Sequence, residues 1–600
     1  RNKSIKTLDF PFAFRKGQRK MAAAVYKAID DRVNLFCEAP TGIGKTMSCI
    51  FPSIKSMDGG RLDKIFYLTA RSTTKDQANS ALKILKEKGL SIKSVVITAK
   101  EKACLNDKVK CNPRDCPYAK GHFDRVNEGI IDILENEDLI DYETIIKYSE
   151  KHRLCPFEFQ LDLSIYTDMV ICDYNYAFDP SVYLRRFFDS PMEKYTFLVD
   201  EAHNLIDRGR EMYSAELRAA DFLNILESFS GEYLGIRKLI SKFLSKIESF
   251  RPQMKEGTLV LKEEDEDITN LSKAIMARLD PFLAKEKTNE NDDEILQLYF
   301  LMNAYVRISD LYDEGYRTIF TLDKEEMIVV KLLCIDTSEK FKAALKAARS
   351  GIFFSATLTP MDFYKKLLGG TDKDYKYHLD SPFTQENLFL GALAISTKYK
   401  HRLASVYPIC QAISDVVLEK KGNYLVFFPS YAYMEMVYNE FVKLFPDLPI
   451  SLQKRGMSEG DRENFVKDFE GDSSLVGFAV LGGVFSEGIY LPWDSLIGSI
   501  IVSVGLPGLS FERNVIRDFF NEEDYKGFEY AYQYPAMNKI LQAAGRVIRT
   551  EEDMGTVVLI DDRYMDKAYR RLMPKHWNHI RNYYETQSLK DDIEKFWELR

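Results

Sequence analysis

A glycine-rich turn that follows an apolar run, Glu38-Ala-Pro-Thr-Gly-Ile-Gly-Lys-Thr46, constrains this chain more than any other feature. Val33–Glu38 reads as a buried strand, and the residues after the turn read as a helix. A turn built this way lets backbone N–H groups point inward around a phosphate. In that arrangement Thr41, Gly42 and Gly44 shape the loop, Lys45 reaches the outer phosphates and Thr46 holds Mg²⁺. Ala39 stands where the usual pattern has its first Gly.

The rest of the chain repeats the strand-then-helix rhythm of an α/β parallel sheet. Ile65–Thr69, Val95–Thr98, Met169–Asp173 and Phe197–Asp200 extend the first series of buried strands, and Gly351–Ser355 reads as a distant member of the same sheet. Tyr424–Phe428, Phe478–Leu481, Ile497–Val504 and Val557–Ile560 form a second series. Two sheet domains with a cleft between them are expected, and such clefts are where these folds place ligands. Residues 100–165, polar and cysteine-bearing, and 209–340, charged and mostly helical in pattern, break the rhythm and read as insertions into the first domain. The acidic run Lys262-Glu-Glu-Asp-Glu-Asp267 reads as a solvated loop.

Bulk composition excludes little. With 600 residues the chain holds several domains, and 45% hydrophobic and 29% charged residues suit a globular protein. No run is apolar enough to span a membrane, and the opening RNKSIKTLDFPF lacks a signal-peptide core. Its lack of Met leaves room for a longer parent chain. The net charge of −8 argues only weakly against a nucleic-acid partner, because a motor can keep a local basic groove.

Two further constellations complete a hydrolytic site. Leu198-Val-Asp-Glu-Ala-His203 closes an apolar strand, so Asp200 can hold Mg²⁺ through water and Glu201 can polarise the attacking water. Gln542-Ala-Ala-Gly-Arg-Val-Ile-Arg549 places Arg546 and Arg549 on one helical face, with Gln542 and Gly545 shaping the approach. Paired guanidiniums near a γ-phosphate stabilise transition-state charge.

In this order the motifs resemble the superfamily 2 helicases, and in detail the iron–sulphur DNA helicases of the XPD and DinG type. Gln18 resembles the upstream adenine-recognising glutamine, Tyr67-Leu-Thr-Ala-Arg-Ser72 the strand-binding motif Ia, and Ser355-Ala-Thr-Leu358 the coupling motif. Ser381-Pro-Phe383 and Asp173-Tyr-Asn-Tyr-Ala-Phe-Asp-Pro180 resemble stretches of that family. Gly483-Val-Phe-Ser-Glu-Gly-Ile489 resembles motif V, with Gly488 at the nucleotide, but Tyr490 replaces the family's Asp.

The resemblance implies two RecA-like motor domains, the first carrying a small Fe–S domain and a helical Arch-type insertion. The implied boundaries are 1–99, 166–208 and 341–380 for the first motor domain, 100–165 for the Fe–S domain, 209–340 for the Arch-like insertion and 381–600 for the second motor domain. It also implies coupling through His203, Ser355 and Thr357, and strand contacts at Thr69, Arg71, Lys100, Ser430 and Tyr431.

Cys104, Cys111, Cys116 and Cys155 are separated by 6, 4 and 38 residues. Four thiolates suit zinc or an iron–sulphur cluster, and spacing does not choose. The family resemblance, with Cys116-Pro-Tyr118 and Cys155-Pro-Phe157, implies [4Fe–4S]. His122 and His152 are weaker ligand candidates; the other five cysteines, Cys37, Cys49, Cys172, Cys334 and Cys410, read as buried thiols.

The implied activity is ATP-driven 5′-to-3′ translocation on single-stranded DNA with duplex unwinding, in repair or replication, by a monomeric cytoplasmic motor associated with a bacterial nucleoid. A translocase that does not unwind, a zinc-bearing RNA helicase and a catalytically idle scaffold remain as alternatives.

Overall fold

The computed structural model describes residues 1–188, 194–228, 233–283, 292–470, 474–483, 485, 496–548, 550 and 552–598. Six strands come first along the chain: β1 (Leu35–Glu38), β2 (Lys64–Leu68), β3 (Ser94–Val96), β4 (Leu139–Ile140), β5 (Met169–Cys172) and β6 (Tyr195–Asp200). Then follow β7 (Ala215–Arg218), β8 (Thr258–Leu261), β9 (Tyr316–Leu322) and β10 (Ile328–Cys334). After these come β11 (Ser350–Ser355) and β12 (Tyr375–His378). The last part carries β13 (Leu388–Leu393), β14 (Tyr424–Phe428), β15 (Ile450–Leu452), β16 (Val476–Val480), β17 (Gly498–Val502), β18 (Gly555–Ile560) and β19 (Arg581–Tyr583).

The first sheet is parallel, in the order β12-β1-β11-β6-β2-β5-β3-β4. Strands β1, β2, β5, β6 and β11 are buried at every position. Such uninterrupted burial follows when helices cover both faces of a sheet, and it explains the continuous apolar runs in the sequence. The distant strand expected at Gly351–Ser355 does join this sheet, between β1 and β6. The edge strands β4 and β12 were not anticipated: one has two residues and the other is half-exposed, so neither leaves a strong apolar run. Through β4 the cysteine-bearing segment is hydrogen-bonded into the sheet rather than standing apart from it.

Residues 209–340 are mostly helical, as expected, but they also hold strands the sequence reading did not anticipate. Their helices, among them Leu234–Glu248, Glu266–Leu283 and Asp292–Ser309, accompany a four-stranded antiparallel sheet in the order β7-β10-β9-β8. The hairpin β9–β10 turns at Asp323–Met327, with Glu326 at φ 60°. Arg317, Thr318, Thr321 and Lys331 interrupt its apolar residues, and this dilutes the strand signal. The acidic run is not simply solvated. Asp265 and Asp267 flank Lys246 at 2.9 and 2.8 Å, and Lys262 pairs with Glu522 at 3.0 Å. Lys331 pairs with Glu512 at 2.7 Å, so this sheet is stitched to helix Phe511–Asp524 beside the second sheet.

The second sheet is also parallel, ordered β15-β16-β14-β17-β18-β13-β19. Among the described residues, no helix is long and apolar enough to cross a membrane.

Candidate nucleotide site between the two sheets

The carboxyl ends of β1, β11 and β6 lie side by side. Glu38 is in register with Ser355, and Phe354 with Asp200. The glycine-rich turn, the coupling motif and the acidic pair therefore open onto one edge. Gly42 and Gly44 take φ of 76° and 75°, a left-handed conformation that glycine adopts without strain. Gly44 caps helix Lys45–Lys55, so Lys45 and Thr46 begin its first turn. A Cβ on Gly44 would run into the Gln18 amide, which places Gln18 directly on the turn. Gln18 accepts the Arg15 backbone N–H at 2.7 Å, and the Arg15 guanidinium donates to Gly42 O at 2.6 Å. Glu38 anchors the base of the turn: it accepts from Leu358 N at 3.1 Å and Thr359 Oγ1 at 2.6 Å, and meets His378 at 3.2 Å.

Asp200 is only 3% exposed. Burial, then the charge of Glu201, push its carboxyl up to about 7, against the opposing pull of Tyr67 and Lys45. Tyr67 donates to Asp200 Oδ2 at 2.5 Å, and Glu201 N donates to Oδ1 at 2.8 Å. The Thr46 hydroxyl hydrogen-bonds to the same Tyr67 phenol, so one buried tyrosine joins the two groups expected to hold the cation. Hard oxygens from Thr46 and Asp200, with the carboxylate short of compensating charge, fit Mg²⁺. A second buried tyrosine, Tyr174, donates to the Asp200 and Glu201 carbonyls. Neither tyrosine was singled out from sequence. The signal available was their position, Tyr67 near the end of β2, which neighbours β6, and Tyr174 just past the end of β5, one strand further out.

Glu201 sits at φ 49°. Burial opposes its ionisation, but the His203 imidazole and the charges of Lys45 and Arg71 outweigh that and hold its carboxyl below the usual range. Ser355 Oγ donates to Glu201 Oε2 at 3.2 Å, and His203 Nδ1 lies 2.7 Å from Ser355 Oγ and 3.3 Å from Glu201 Oε2. Thr357 N donates to Ser355 Oγ at 3.2 Å. On its other side His203 Nε2 meets the Gln542 amide. Thr41 Oγ1 also crosses the cleft, donating to Gly545 O at 3.2 Å. The second domain thus touches both the glycine-rich turn and the acidic pair.

The expected helical setting of Arg546 is corrected. Helix Tyr534–Ala544 ends with Gly545 as its cap, so Arg546 lies in the turn beyond it. Arg549, Gly488 and the Ser486–Tyr490 part of motif V lie outside the described residues.

The expected strand contacts fare unevenly. Thr69 is buried, with its hydroxyl on Thr74 Oγ1, so it supports the loop rather than facing a ligand. Arg71 and Lys100 are partly exposed, and Lys100 Nζ lies 5.2 Å over the Phe157 ring. Ser430 caps helix Tyr431–Leu444, and the Tyr431 hydroxyl accepts from Gln453.

All nine cysteines are free, and the five read as buried thiols are buried. Among the described residues, no group of three or more His, Cys, Asp or Glu side chains is gathered as a metal would need. The four candidate ligands are therefore not closed around a centre in this structure. Cys155 nevertheless has a partly buried thiol that receives the N–H groups of Phe157 and Glu158 and senses Cys111 nearby. Cys116 Sγ receives Asn106 Nδ2 at 3.1 Å and Ala119 N at 3.4 Å. His122 and His152 face Asp162 and Asp132 instead.

Two parallel sheets, with a phosphate turn on one and a helix from the other touching it, define a two-domain P-loop motor of the helicase superfamilies. Residues 71–222 match the DEAD_2 family and residues 413–580 match the Helicase C-terminal domain family. The ATP-dependent DNA helicase XPD of Sulfolobus acidocaldarius is 23% identical, over 93% of this chain and 97% of that protein. The Saccharomyces cerevisiae general transcription and DNA repair factor IIH helicase subunit XPD/RAD3 is 22% identical, over 92% and 86%. A solved XPD helicase superposes with a TM-score of 0.63 at 18% identity, covering 94% of this chain and 98% of that one. Over most of its length the chain is thus similar to XPD-type ATP-dependent DNA helicases, with the DEAD_2 and Helicase C-terminal domain families matched in that order.

Proposed function

We propose that this protein is an ATP-driven DNA helicase that moves 5′ to 3′ on a single strand and opens the duplex ahead of it. The observation that carries the reading is the pair of contacts across the cleft, Thr41 to Gly545 and His203 to Gln542. They make the relative position of the two domains depend on what occupies the glycine-rich turn. Lys45 and the turn's N–H groups hold the phosphates, and Gln18 stands beside the turn for the adenine edge. Glu201 orients the attacking water and, being held ionised, accepts its proton. Mg²⁺, when held by Thr46 and Asp200, neutralises charge on the outer phosphates. Arg546 and Arg549 face the γ-phosphate on closure. Loss of that phosphate changes the load on Glu201, and Ser355, His203 and Gln542 carry the change to the second domain. Arg71, Lys100, Ser430 and Tyr431 bear the strand. Duplex steps cost about 1.4 kcal/mol each to unstack, so opening several in succession needs this coupling.

In the same reading Cys104, Cys111, Cys116 and Cys155 are the ligands of a [4Fe–4S] cluster that staples residues 100–165. Amide donors already directed at the Cys116 and Cys155 sulphurs support it, as thiolate ligands are stabilised by such bonds.

The test is ATP-dependent strand displacement on duplexes with a 5′ or a 3′ single-stranded tail, using anaerobically purified protein and its Lys45→Ala variant. Unwinding of the 5′-tailed duplex alone, lost in Lys45→Ala, is expected. DNA-stimulated hydrolysis with no unwinding of either would replace this reading with a strand translocase. Iron and acid-labile sulphide measured on wild type and Cys155→Ser test the cluster: wild type should carry about four irons and the variant few, whereas zinc in their place would overturn it.

A further inference from the structure

The second domain carries a basic and aromatic ledge that the nucleotide site does not use. Thr397-Lys-Tyr-Lys-His-Arg402 follows β13 and leads into helix Arg402–Val417, so it sits at the carboxyl edge of the second sheet. Lys398, Lys400 and His401 are exposed, and the Tyr399 ring is 86% exposed. A tyrosine this bare on a folded surface buries nothing of its own. The Arg402 guanidinium lies between two rings, 5.4 Å from Tyr399 and 4.9 Å from Tyr433. Ser405 Oγ meets the Tyr433 hydroxyl at 2.6 Å, and Tyr433 N donates to Ser430. The ledge is thus continuous with the first turn of helix Tyr431–Leu444. It goes on to Arg455, whose guanidinium lies 5.2 Å over the Tyr431 ring. The adjoining carboxylates are engaged: Asp562 with Lys398 at 3.1 Å, and Asp561 with Arg563 at 2.7 Å and with Thr397.

We infer that Tyr399, with Lys400, His401, Arg402 and Arg455 around it, is a track for single-stranded nucleic acid on the second domain, Tyr399 stacking on an unpaired base and the cations following the phosphates. A bare ring set among cations matches a strand that offers both phosphate charge and an unpaired base face. A duplex hides its base faces and offers the ring nothing to stack on. A protein partner would present carboxylates but no repeating flat surface. The inference rests on the strand-motor reading and adds to it a stacking position not given by Ser430 and Tyr431.

The experiment measures binding of a fluorescent oligothymidine by the full chain as a function of salt, with DNA-free ATP hydrolysis as the control. Tyr399→Ala should weaken binding by about 5- to 150-fold, the usual worth of one stacked base. Lys400→Glu should reduce the slope of log affinity against log salt by about 0.7 or more. Lys421→Glu, the same charge change beyond the far end of the same helix, should do neither, and DNA-free hydrolysis should stay unchanged in all three. Wild-type affinity and slope in both ledge variants would overturn the track while leaving the motor reading intact. Failure of the wild type itself to bind the oligonucleotide would overturn both.

Discussion

Tyr67→Phe tests the buried centre of the site with the loss of one oxygen. Phe keeps the ring in the packed layer between β2 and its neighbours, but removes the donor to Asp200 Oδ2, leaving Glu201 N on the other oxygen. A hydrogen bond to an ionised buried group is worth about 1.5–3 kcal/mol. The carboxyl of Asp200 is raised to about 7, so in the folded protein it is ionised above that value and largely neutral below it. The full loss therefore belongs to pH 8. Near pH 6, where the acceptor is neutral, the cost falls to about 1 kcal/mol. Amide hydrogen exchange of β6 reads this locally and avoids treating a multidomain chain as two-state. Exchange of β6 should quicken by about 10- to 150-fold at pH 8 and by about 5-fold at pH 6, after correction for the intrinsic rate. In an Asp200→Asn background the pH dependence should vanish, because no charge remains to be stabilised. An equal effect of Tyr67→Phe in both backgrounds, or no effect at pH 8, would refute the role assigned to this hydrogen bond.

Gly44→Ala must hold a left-handed φ of 75° and displace Gln18, so ATP affinity should fall by about tenfold or more in a fluorescent-nucleotide titration. Gln542→Ala breaks the bridge to His203; DNA-stimulated turnover should drop by up to about tenfold while ATP affinity holds, measured by steady-state hydrolysis and nucleotide binding. The His378 imidazole is raised above its ordinary value, first by its hydrogen bond to Glu38. The pair should therefore stabilise the fold fully below about 6.5 and lose that contribution as pH rises through the higher folded value. Thermal unfolding of wild type and His378→Gln should differ, by no more than about 1 kcal/mol, at pH 6 and converge by pH 9. A difference that grows with pH would reverse the assignment.

The parts of the site that one segment builds alone were legible in the sequence. The glycine-rich turn needs only its own glycines and the strand before it, and Asp200 and Glu201 end an apolar run that can only be a strand. What several segments build together was not. Tyr67 and Tyr174 stand in stretches that resemble family motifs, but their hydrogen bonds to the acidic pair show only once β2, β5 and β6 are assembled. Arg546 would lie on a helical face only if the helix continued past Gly545, and it ends there. The inserted antiparallel sheet was missed because its strands are short or interrupted by Glu, Arg, Thr and Lys, and lie among longer helices. Thr69 reads as a contact from its place in a motif, yet its hydroxyl is spent on Thr74. The intervals between four cysteines say nothing of how the chain between them is routed.

The position of β11 bears on how the protein is made. Among the described residues β1 pairs with β11 and β12, and both are encoded after residue 349. At roughly 5–20 residues per second, β1 leaves the ribosome about 15 to 60 seconds before either neighbour exists. Until then the N–H and C=O groups along both its edges lack their strand partners, while the segments between it and β11 can already fold. The nascent chain thus offers a long window to a holding chaperone, and synthesis halted before residue 350 should yield fragments that aggregate rather than a smaller working domain.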